Sequence, residues 1–154
     1  MTGPADRLAA LGLTLPAVTA PVAAYVPALR TGAYVYVSGQ VPVADGKLLG
    51  TGKVGAEVST EEAAQMARAC ALNGLAAAAS VMGGLDGIRR IVKVVGFVAS
   101  APGFSGQPQV INGASEFLIE VFGEDGKHAR SAIGVAELPL NAPVEVELIA
   151  QIRS

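Results

Sequence analysis

The sequence predicts an α+β fold in which two helices pack on one face of a single mixed sheet. Two long segments carry apolar residues at helical spacing, and shorter segments rich in Val, Ile and Tyr alternate apolar with polar side chains. These segments are interleaved along 154 residues, 51% of them hydrophobic, so we expect one domain over residues 1–154, with residues 1–20 as a lead-in. No predicted element covers the second face of the sheet, which therefore indicates an oligomer.

The first elements are a short helix and a β-hairpin. Pro4 at a first helical position and Asp6 in the first turn predict a helix over Pro4–Leu11. Tyr25–Leu29 and Ala33–Ser38 flank a short turn that contains glycine. Since the second of these segments alternates small apolar residues with Tyr and Ser, we expect both of its faces to be covered.

A turn with a short edge segment over Pro42–Thr51 precedes a long helix. Ser59 and Glu62 have the spacing of a capping box, which places the start of the helix near Thr60. Apolar residues then recur at helical spacing until Gly83-Gly84 ends the helix.

The second half of the chain predicts a strand, a helix and two further strands, in the overall order β-β-(β)-α-β-α-β-β. The strands are rich in Val and Ile, and the helix begins at a proline and ends before Gly123. The predicted elements are a strand over Ile88–Ser100, a helix over Pro108–Val121, and strands over Arg130–Val135 and Val144–Arg153.

Charge content limits the classes of partner. Charged residues make up 16% of the chain, against roughly 25% in average soluble domains, so we expect apolar surface to be buried between subunits. A net charge of −2 with scattered cations lacks the basic patch that phosphate backbones require, so we expect no nucleic acid partner. No segment approaches ~20 strongly apolar residues and residues 1–10 lack the apolar core of a secretory signal, so we expect a cytoplasmic protein without a membrane span.

One cysteine and one histidine restrict the chemistry. Cys70 and His128 form no disulfide and are too few soft ligands for a dedicated zinc site. Motifs for nucleotide hydrolysis, dinucleotide binding, zinc proteolysis and a nucleophile elbow are absent. Cys70 falls on the apolar stripe of the long helix, which predicts a buried structural thiol. We interpret His128, beside Lys127 in a turn, as a solvated residue, because a general base needs an orienting partner.

Arg130 and Glu145 stand out because each is a charged residue at or in a predicted strand that is rich in small and apolar residues. If the last two strands are antiparallel neighbours, Arg130 and Glu145 share a face of the sheet. A cross-strand salt bridge is the simplest interpretation of this pair, and a binding site is the alternative.

Several short motifs, taken together and in order, resemble the RidA family, also called the YjgF family. The resemblance runs from about Pro21 to Ile152, with a longer stretch at Leu48–Val58 and a different turn near Gly126. Its motifs are Tyr25, Val37-Ser38-Gly39-Gln40-Val41-Pro42-Val43, Ala129-Arg130-Ser131-Ala132, Val135-Ala136-Glu137-Leu138-Pro139 and Val144-Glu145-Val146-Glu147.

The resemblance implies a chorismate-mutase-like fold and a homotrimer whose sheets form a central barrel, with clefts between subunits. Family members of established activity hydrolyse reactive enamines and imines such as 2-aminoacrylate to 2-keto acids and ammonia, without a cofactor or metal. By resemblance, Arg130 holds the substrate carboxylate and Glu145 lies near the attacking water. Tyr25 completes the implied catalytic set, while Ser38 and Asn112 are implied to contact the substrate.

The sequence departs from the family pattern at three positions. Ala132 stands where many members have Cys, Gly134 where many have Glu, and His128 where Pro is usual. These features resemble a longer-chain subgroup of the family. Three functions stay open, namely hydrolysis of 2-imino acids, non-catalytic binding or sensing of a small carboxylate metabolite, and endoribonuclease or translation-inhibitor activity. The acidic charge and few aromatic residues disfavour the last.

Overall fold

A five-stranded mixed sheet is the central layer of the computed structural model, which describes residues 2–154. Its strands are β1 (Ala28–Thr31), β2 (Tyr34–Gln40), β5 (Ile88–Ala99), β6 (Ala129–Val135) and β7 (Val144–Ile152). They pair in the order β1-β2-β7-β5-β6. Every neighbouring pair is antiparallel except β5 and β6, which are parallel. The segment predicted at residues 42–51 forms a separate hairpin of β3 (Val43–Ala44) and β4 (Lys47–Leu48).

Within residues 2–154, three α-helices accompany the sheet, namely α1 (Pro4–Ala10), α2 (Thr60–Ser80) and α3 (Gln107–Phe122). The predicted capping box begins α2, since the Ser59 hydroxyl accepts from the Glu62 amide at 3.1 Å and the Glu62 carboxylate accepts from the Ser59 amide at 2.9 Å. The helices α2 and α3 lie side by side on one face, α2 over β2 and β7 and α3 over β5 and β6. The predicted α+β fold with two helices on one face is therefore confirmed.

Small residues allow the two long helices to approach each other closely. A Cβ added to Gly113 of α3 would lie 2.7 Å from the carbonyl carbon of Ala64, so the two long helices touch backbone to backbone. Apolar side chains from both helices and from the facing side of the sheet fill the remaining space. The largest fully buried side chains include Leu75, Ile88, Ile91, Ile111, Phe117 and Leu118.

The other face of the sheet carries exposed apolar side chains. Leu29, Tyr34, Tyr36 and Ile133 are each exposed by 41% or more of their surface. Val35 and Val37, which alternate with the tyrosines along β2, are buried under α2. The sheet thus presents apolar side chains on both faces, and the described chain provides a helix layer for one of them. Neither long helix has the length and apolar character needed to cross a bilayer, over residues 2–154.

Two expectations about the strands are wrong. The strands β6 and β7 are not antiparallel neighbours, because β5 lies between them. The connection from β5 to β6 runs through α3, and a crossover of that kind produces a parallel pair. In addition, β1 begins at Ala28, so Tyr25 lies in the preceding loop and not in a strand.

Candidate functional site

The Arg130 side chain is held by α3. Arg130 pairs in register with Val94, which is buried beneath the helices, so its side chain lies on the helix-covered side of the edge strand β6. Its Nη1 atom donates hydrogen bonds to Asn112 Oδ1 at 2.8 Å and to Ser115 Oγ at 3.2 Å. Asn112 and Ser115 face Arg130 together because residues three apart lie on one side of a helix.

The positive charge of Arg130 has no carboxylate partner within residues 2–154. The ion pairs of this part of the chain are Lys53–Glu137, Arg68–Glu120 and Lys127–Glu124. Arg130 is half-buried, and both of its hydrogen-bond acceptors are neutral. A guanidinium in this condition is suited to bind an anion, because its planar fork matches the two oxygens of a carboxylate.

His128 extends this group, and its interpretation as a solvated residue is wrong. The imidazole is half-buried, with Nδ1 donating to the Gly126 carbonyl at 2.6 Å and Nε2 lying 2.9 Å from Ser115 Oγ. Burial and the nearby charge of Arg130 lower the pKa of His128, against the opposing effect of the Gly126 hydrogen bond. We call Asn112, Ser115, His128 and Arg130 the Arg130 cluster.

Glu145 lies on the opposite face of the sheet. Its strand neighbours Val144 and Val146 are buried toward the helices, so the Glu145 side chain projects the other way. The carboxylate lies against Gly39, where an added Cβ would be 2.8 Å from its carboxyl carbon. Burial and then the negative charge of Glu147 raise the pKa of Glu145. A carboxyl group of raised pKa is better suited to take up and return protons near neutral pH.

Tyr25 and Ser38 lie on the same side of the sheet as Glu145. They line a cavity of about 420 Å³ together with Tyr36 and Glu147. The Ser38 hydroxyl donates to the Val26 carbonyl at 2.6 Å, which ties the Tyr25 loop to β2. Tyr25 itself is 57% exposed. The carboxylate that lines this cavity is that of Glu147, whereas Glu145 lies beside it against Gly39, the chain neighbour of Ser38. We call Tyr25, Ser38, Gly39 and Glu145 the Glu145 cluster.

Within one chain the two clusters do not meet. Arg130 pairs with Val94 of β5, whereas Glu145 pairs with Phe97, three residues further along that strand. Strand geometry places their Cα atoms about 14 Å apart, with side chains on opposite faces. The predicted common face is therefore wrong, and no salt bridge joins Arg130 to Glu145 within the described residues.

The departures from the family pattern have structural partners. A Cβ added to Gly134 would lie 2.9 Å from both Gln107 Nε2 and Ser100 Oγ, which hydrogen-bond to each other at 3.1 Å. The Gln107 amide therefore occupies the space that a side chain at Gly134 would need. Ala132 is partly buried and packs against the core. The longer stretch at 48–58 is anchored by Val54, which is fully buried and bridges to Ser100.

The prediction for Cys70 is confirmed. Its side chain is fully buried in α2, with the thiol sulfur 3.8 Å from the Val144 carbonyl oxygen. Burial and then the negative charge of Glu145 raise the pKa of the Cys70 thiol well above its usual value. The thiolate is therefore disfavoured, which is the opposite of what a nucleophilic cysteine requires.

A single mixed sheet with two helices on one face and a parallel edge strand places the chain among small α+β proteins. Residues 5–152 match the family described as "YjgF/chorismate mutase-like, putative endoribonuclease". The chain belongs to this YjgF family, which confirms the resemblance read from its motifs.

Three relatives cover nearly the whole chain. Protein Atu1372 from Agrobacterium tumefaciens has a crystal structure and is of unknown function. It is 47% identical to this chain with a TM-score of 0.90, and the match covers 98% of this chain and 94% of that one. A crystal structure of a "putative endoribonuclease" from Shewanella oneidensis is 34% identical with a TM-score of 0.94, over 98% of this chain and 100% of that one. Protein TCP17 from Trypanosoma cruzi is 42% identical over 97% of this chain and 94% of its own length.

Proposed function

We propose that the protein hydrolyses reactive 2-imino acids, and the enamines that tautomerise to them, to 2-keto acids and ammonia. The observation that supports this is the half-buried guanidinium of Arg130, which two neutral side chains hold and no described carboxylate neutralises. A 2-imino acid presents a planar carboxylate beside an electrophilic carbon. An arginine that grips the carboxylate fixes the direction from which water reaches that carbon.

In the proposed reaction, Glu145 accepts a proton from water as the water oxygen bonds to the imine carbon. This step forms a carbinolamine and moves the electron pair of the carbon–nitrogen double bond to nitrogen. Glu145 then returns the proton to that nitrogen. The carbinolamine hydroxyl next passes its own proton through Glu145 to the nitrogen as the carbon–nitrogen bond breaks, so the carbonyl forms and ammonia leaves. The raised pKa of Glu145 favours these proton transfers. These reaction steps need no nucleophilic side chain, because the carbon of an iminium ion is already electrophilic enough for water to attack it.

The separation of the two clusters leads us to propose that each site is shared between chains. Arg130 and Glu145 cannot touch one small substrate within a single chain, because they lie on opposite faces of the sheet about 14 Å apart. A second copy placed at the β6 edge would bring its Glu145 cluster to the Arg130 cluster. Exposed Leu29, Tyr36 and Ile133 on the open face supply apolar surface for such contacts. We propose the homotrimer implied by the family resemblance as the assembly.

Two other functions make different predictions. A non-catalytic carboxylate-binding protein would use the same Arg130 cluster but would not consume an imine. An endoribonuclease is the activity named in the family description. A protein with endoribonuclease activity would cleave RNA and would not need to consume an imine.

The test couples the protein to an amino acid oxidase, which produces 2-imino acids from several amino acids. Semicarbazide traps the imine that survives, and the 2-keto acid and ammonia are measured directly. We expect the wild-type protein to reduce trapped imine in proportion to its concentration, and Arg130→Lys and Glu145→Gln to do so poorly. Binding of pyruvate without faster loss of imine would replace the proposal with a binding function. Cleavage of a labelled RNA without imine hydrolysis would replace it with a nuclease function.

A further inference from the structure

A chain of hydrogen bonds connects the Gly126 carbonyl to Arg130. The carbonyl oxygen only accepts, so the hydrogen of the neutral His128 ring is on Nδ1. The Nε2 atom of the ring is then an acceptor, and it accepts a hydrogen bond from the Ser115 hydroxyl at 2.9 Å. With its proton committed to His128, the Ser115 oxygen presents lone pairs to Arg130 Nη1 at 3.2 Å. Each group in the chain therefore has one direction of donation.

This chain connects a titratable ring to the anion-binding arginine. Nε2 of His128 and Nη1 of Arg130 lie within about 6 Å of each other, because both contact the same hydroxyl. At this distance the charge on one group affects the ionisation of the other. The sequence carries a single histidine, so no other imidazole contributes to this effect.

The other charged groups around His128 are mainly cationic. His128 lines a cavity of about 520 Å³ with Tyr34, Arg90 and Lys127. Arg90 donates to the Lys127 carbonyl at 3.2 Å, and the Lys127 ammonium is paired with Glu124 at 2.9 Å. Further titratable groups belong to the elements around His128, namely Asp125 in the preceding turn, Lys93, whose backbone pairs with Ala129, and Glu116 and Glu120 on α3, the helix that carries Ser115. Arg130 is the cation that lowers the pKa of His128, together with burial.

We propose that Ser115 and His128 are positioning residues for Arg130, through which protonation of the imidazole is coupled to carboxylate binding at the guanidinium. The proposal deepens the proposed function and rests on Arg130 as its anion site. A bound carboxylate offsets the positive charge of Arg130, which removes a cause that opposes protonation of His128. Linkage then requires the reverse effect, so protonation of His128 strengthens carboxylate binding. Ser115 supports the orientation of the guanidinium in both states because its oxygen accepts from Arg130.

The coupling is tested by following the single histidine by NMR between about pH 5 and pH 8, with and without saturating pyruvate. We expect the unliganded ring to titrate below the ordinary midpoint of histidine, with hydrogen on Nδ1 at neutral pH. Pyruvate is expected to raise this midpoint. By calorimetry, pyruvate affinity is expected to increase about three- to tenfold as pH falls through the titration of His128. His128→Gln should abolish this pH dependence, and its persistence would assign the dependence to another group such as Glu145.

Ser115 is tested by a matched set of variants. Ser115→Ala is expected to weaken pyruvate binding about three- to tenfold, while Ser115→Thr, which keeps the hydroxyl, restores it. In an Arg130→Lys background, Ser115→Ala should have a smaller effect, because the group that Ser115 positions has changed. Ser80→Ala serves as the control with unchanged binding, because the Ser80 hydroxyl donates to the Ala77 carbonyl within its own helix. Equal effects of Ser115→Ala in both backgrounds would overturn the positioning role.

The outcomes separate this inference from the proposed function. Suppose that pyruvate binds, but its affinity does not change as His128 titrates and the His128 midpoint does not change when pyruvate is added. In that case the coupling is wrong and the anion site stands. If pyruvate does not bind, the anion site fails. The coupling of the two side chains is then judged in the unliganded protein, where Arg130→Gln should raise the His128 midpoint. An unchanged midpoint in that variant would overturn the coupling as well.

Discussion

Replacing Arg130 with Lys tests how the proposed site holds a carboxylate. In the structure Nη1 serves Asn112 and Ser115, which leaves Nη2 and Nε of the same planar fork for the two oxygens of a ligand. A lysine ammonium has three donors on one atom. If two remain with Asn112 and Ser115, one is left for the ligand, so one charge-assisted hydrogen bond is lost. Such a bond contributes about 1.5–3 kcal/mol, so carboxylate affinity should fall about 10- to 150-fold.

Calorimetric titration with pyruvate measures this affinity, and denaturant unfolding of the same samples measures stability. Arg90→Lys is the matched control, because Arg90 is also a β-strand arginine but donates to the Lys127 carbonyl, and its pyruvate affinity should not change. Arg130→Lys with unchanged affinity would refute the assignment of Arg130 as the carboxylate-binding group. So would equal losses of affinity in the Arg90 and Arg130 variants.

Three further substitutions have distinct expected results. Glu145→Gln should lower kcat for imine hydrolysis about 100-fold. It should not lower the free energy of unfolding, because burial and the negative charge of Glu147 already disfavour the Glu145 carboxylate. A lower stability with normal kcat would contradict this. Cys70 is fully buried and its thiol pKa is raised, so it should resist a thiol reagent in the native protein and react after denaturation. Cys70→Ala should retain activity. Rapid labelling of the native protein would contradict this. Gly113→Ala should lower the free energy of unfolding by about 1–3 kcal/mol or more, because its Cβ would meet the Ala64 backbone; unchanged denaturation would show that the two helices separate at little cost.

The helices were predictable because their signals are local. The Ser59 and Glu62 capping box begins α2 at Thr60, as expected from their spacing. Gly83 and Gly84 have φ angles of 75° and 140°, which only glycine adopts readily, and α2 ends before them at Ser80. Such features depend on a few neighbouring residues, so a single sequence contains the information they need.

Strand pairing was harder to predict because alternation identifies the faces of a strand but not its neighbours. The incorrect pairing of β6 with β7 assumes that strands consecutive in the sequence are also neighbours in the sheet. One signal was available, since a strand, a helix and a strand in succession form a crossover that favours a parallel pair. Applying it to the segments around α3 would have placed β6 beside β5.

The candidate site residues follow from the resemblance, whereas the contacts among them follow from the packing of the fold. Asn112 was associated with the cleft, but its bond to Arg130 depends on how α3 packs on β6. The i, i+3 spacing of Asn112 and Ser115 could have indicated that both face one partner. His128 was interpreted as solvated because no local partner is visible, whereas Ser115 reaches it from thirteen positions away.

The proposal that each site is shared between chains is tested most directly by mixing two impaired variants and assaying them at a substrate concentration too low to saturate the Arg130→Lys chains. Chains carrying Arg130→Lys and chains carrying Glu145→Gln are unfolded together, refolded and assayed for imine hydrolysis, with each variant refolded alone as a control. If one chain supplies Arg130 and its neighbour supplies Glu145, random assembly into rings regenerates an intact site at about one quarter of the interfaces, so about one quarter of wild-type activity should return. Activity no higher than that of the separate variants, in mixtures shown to contain mixed oligomers, would contradict the shared site.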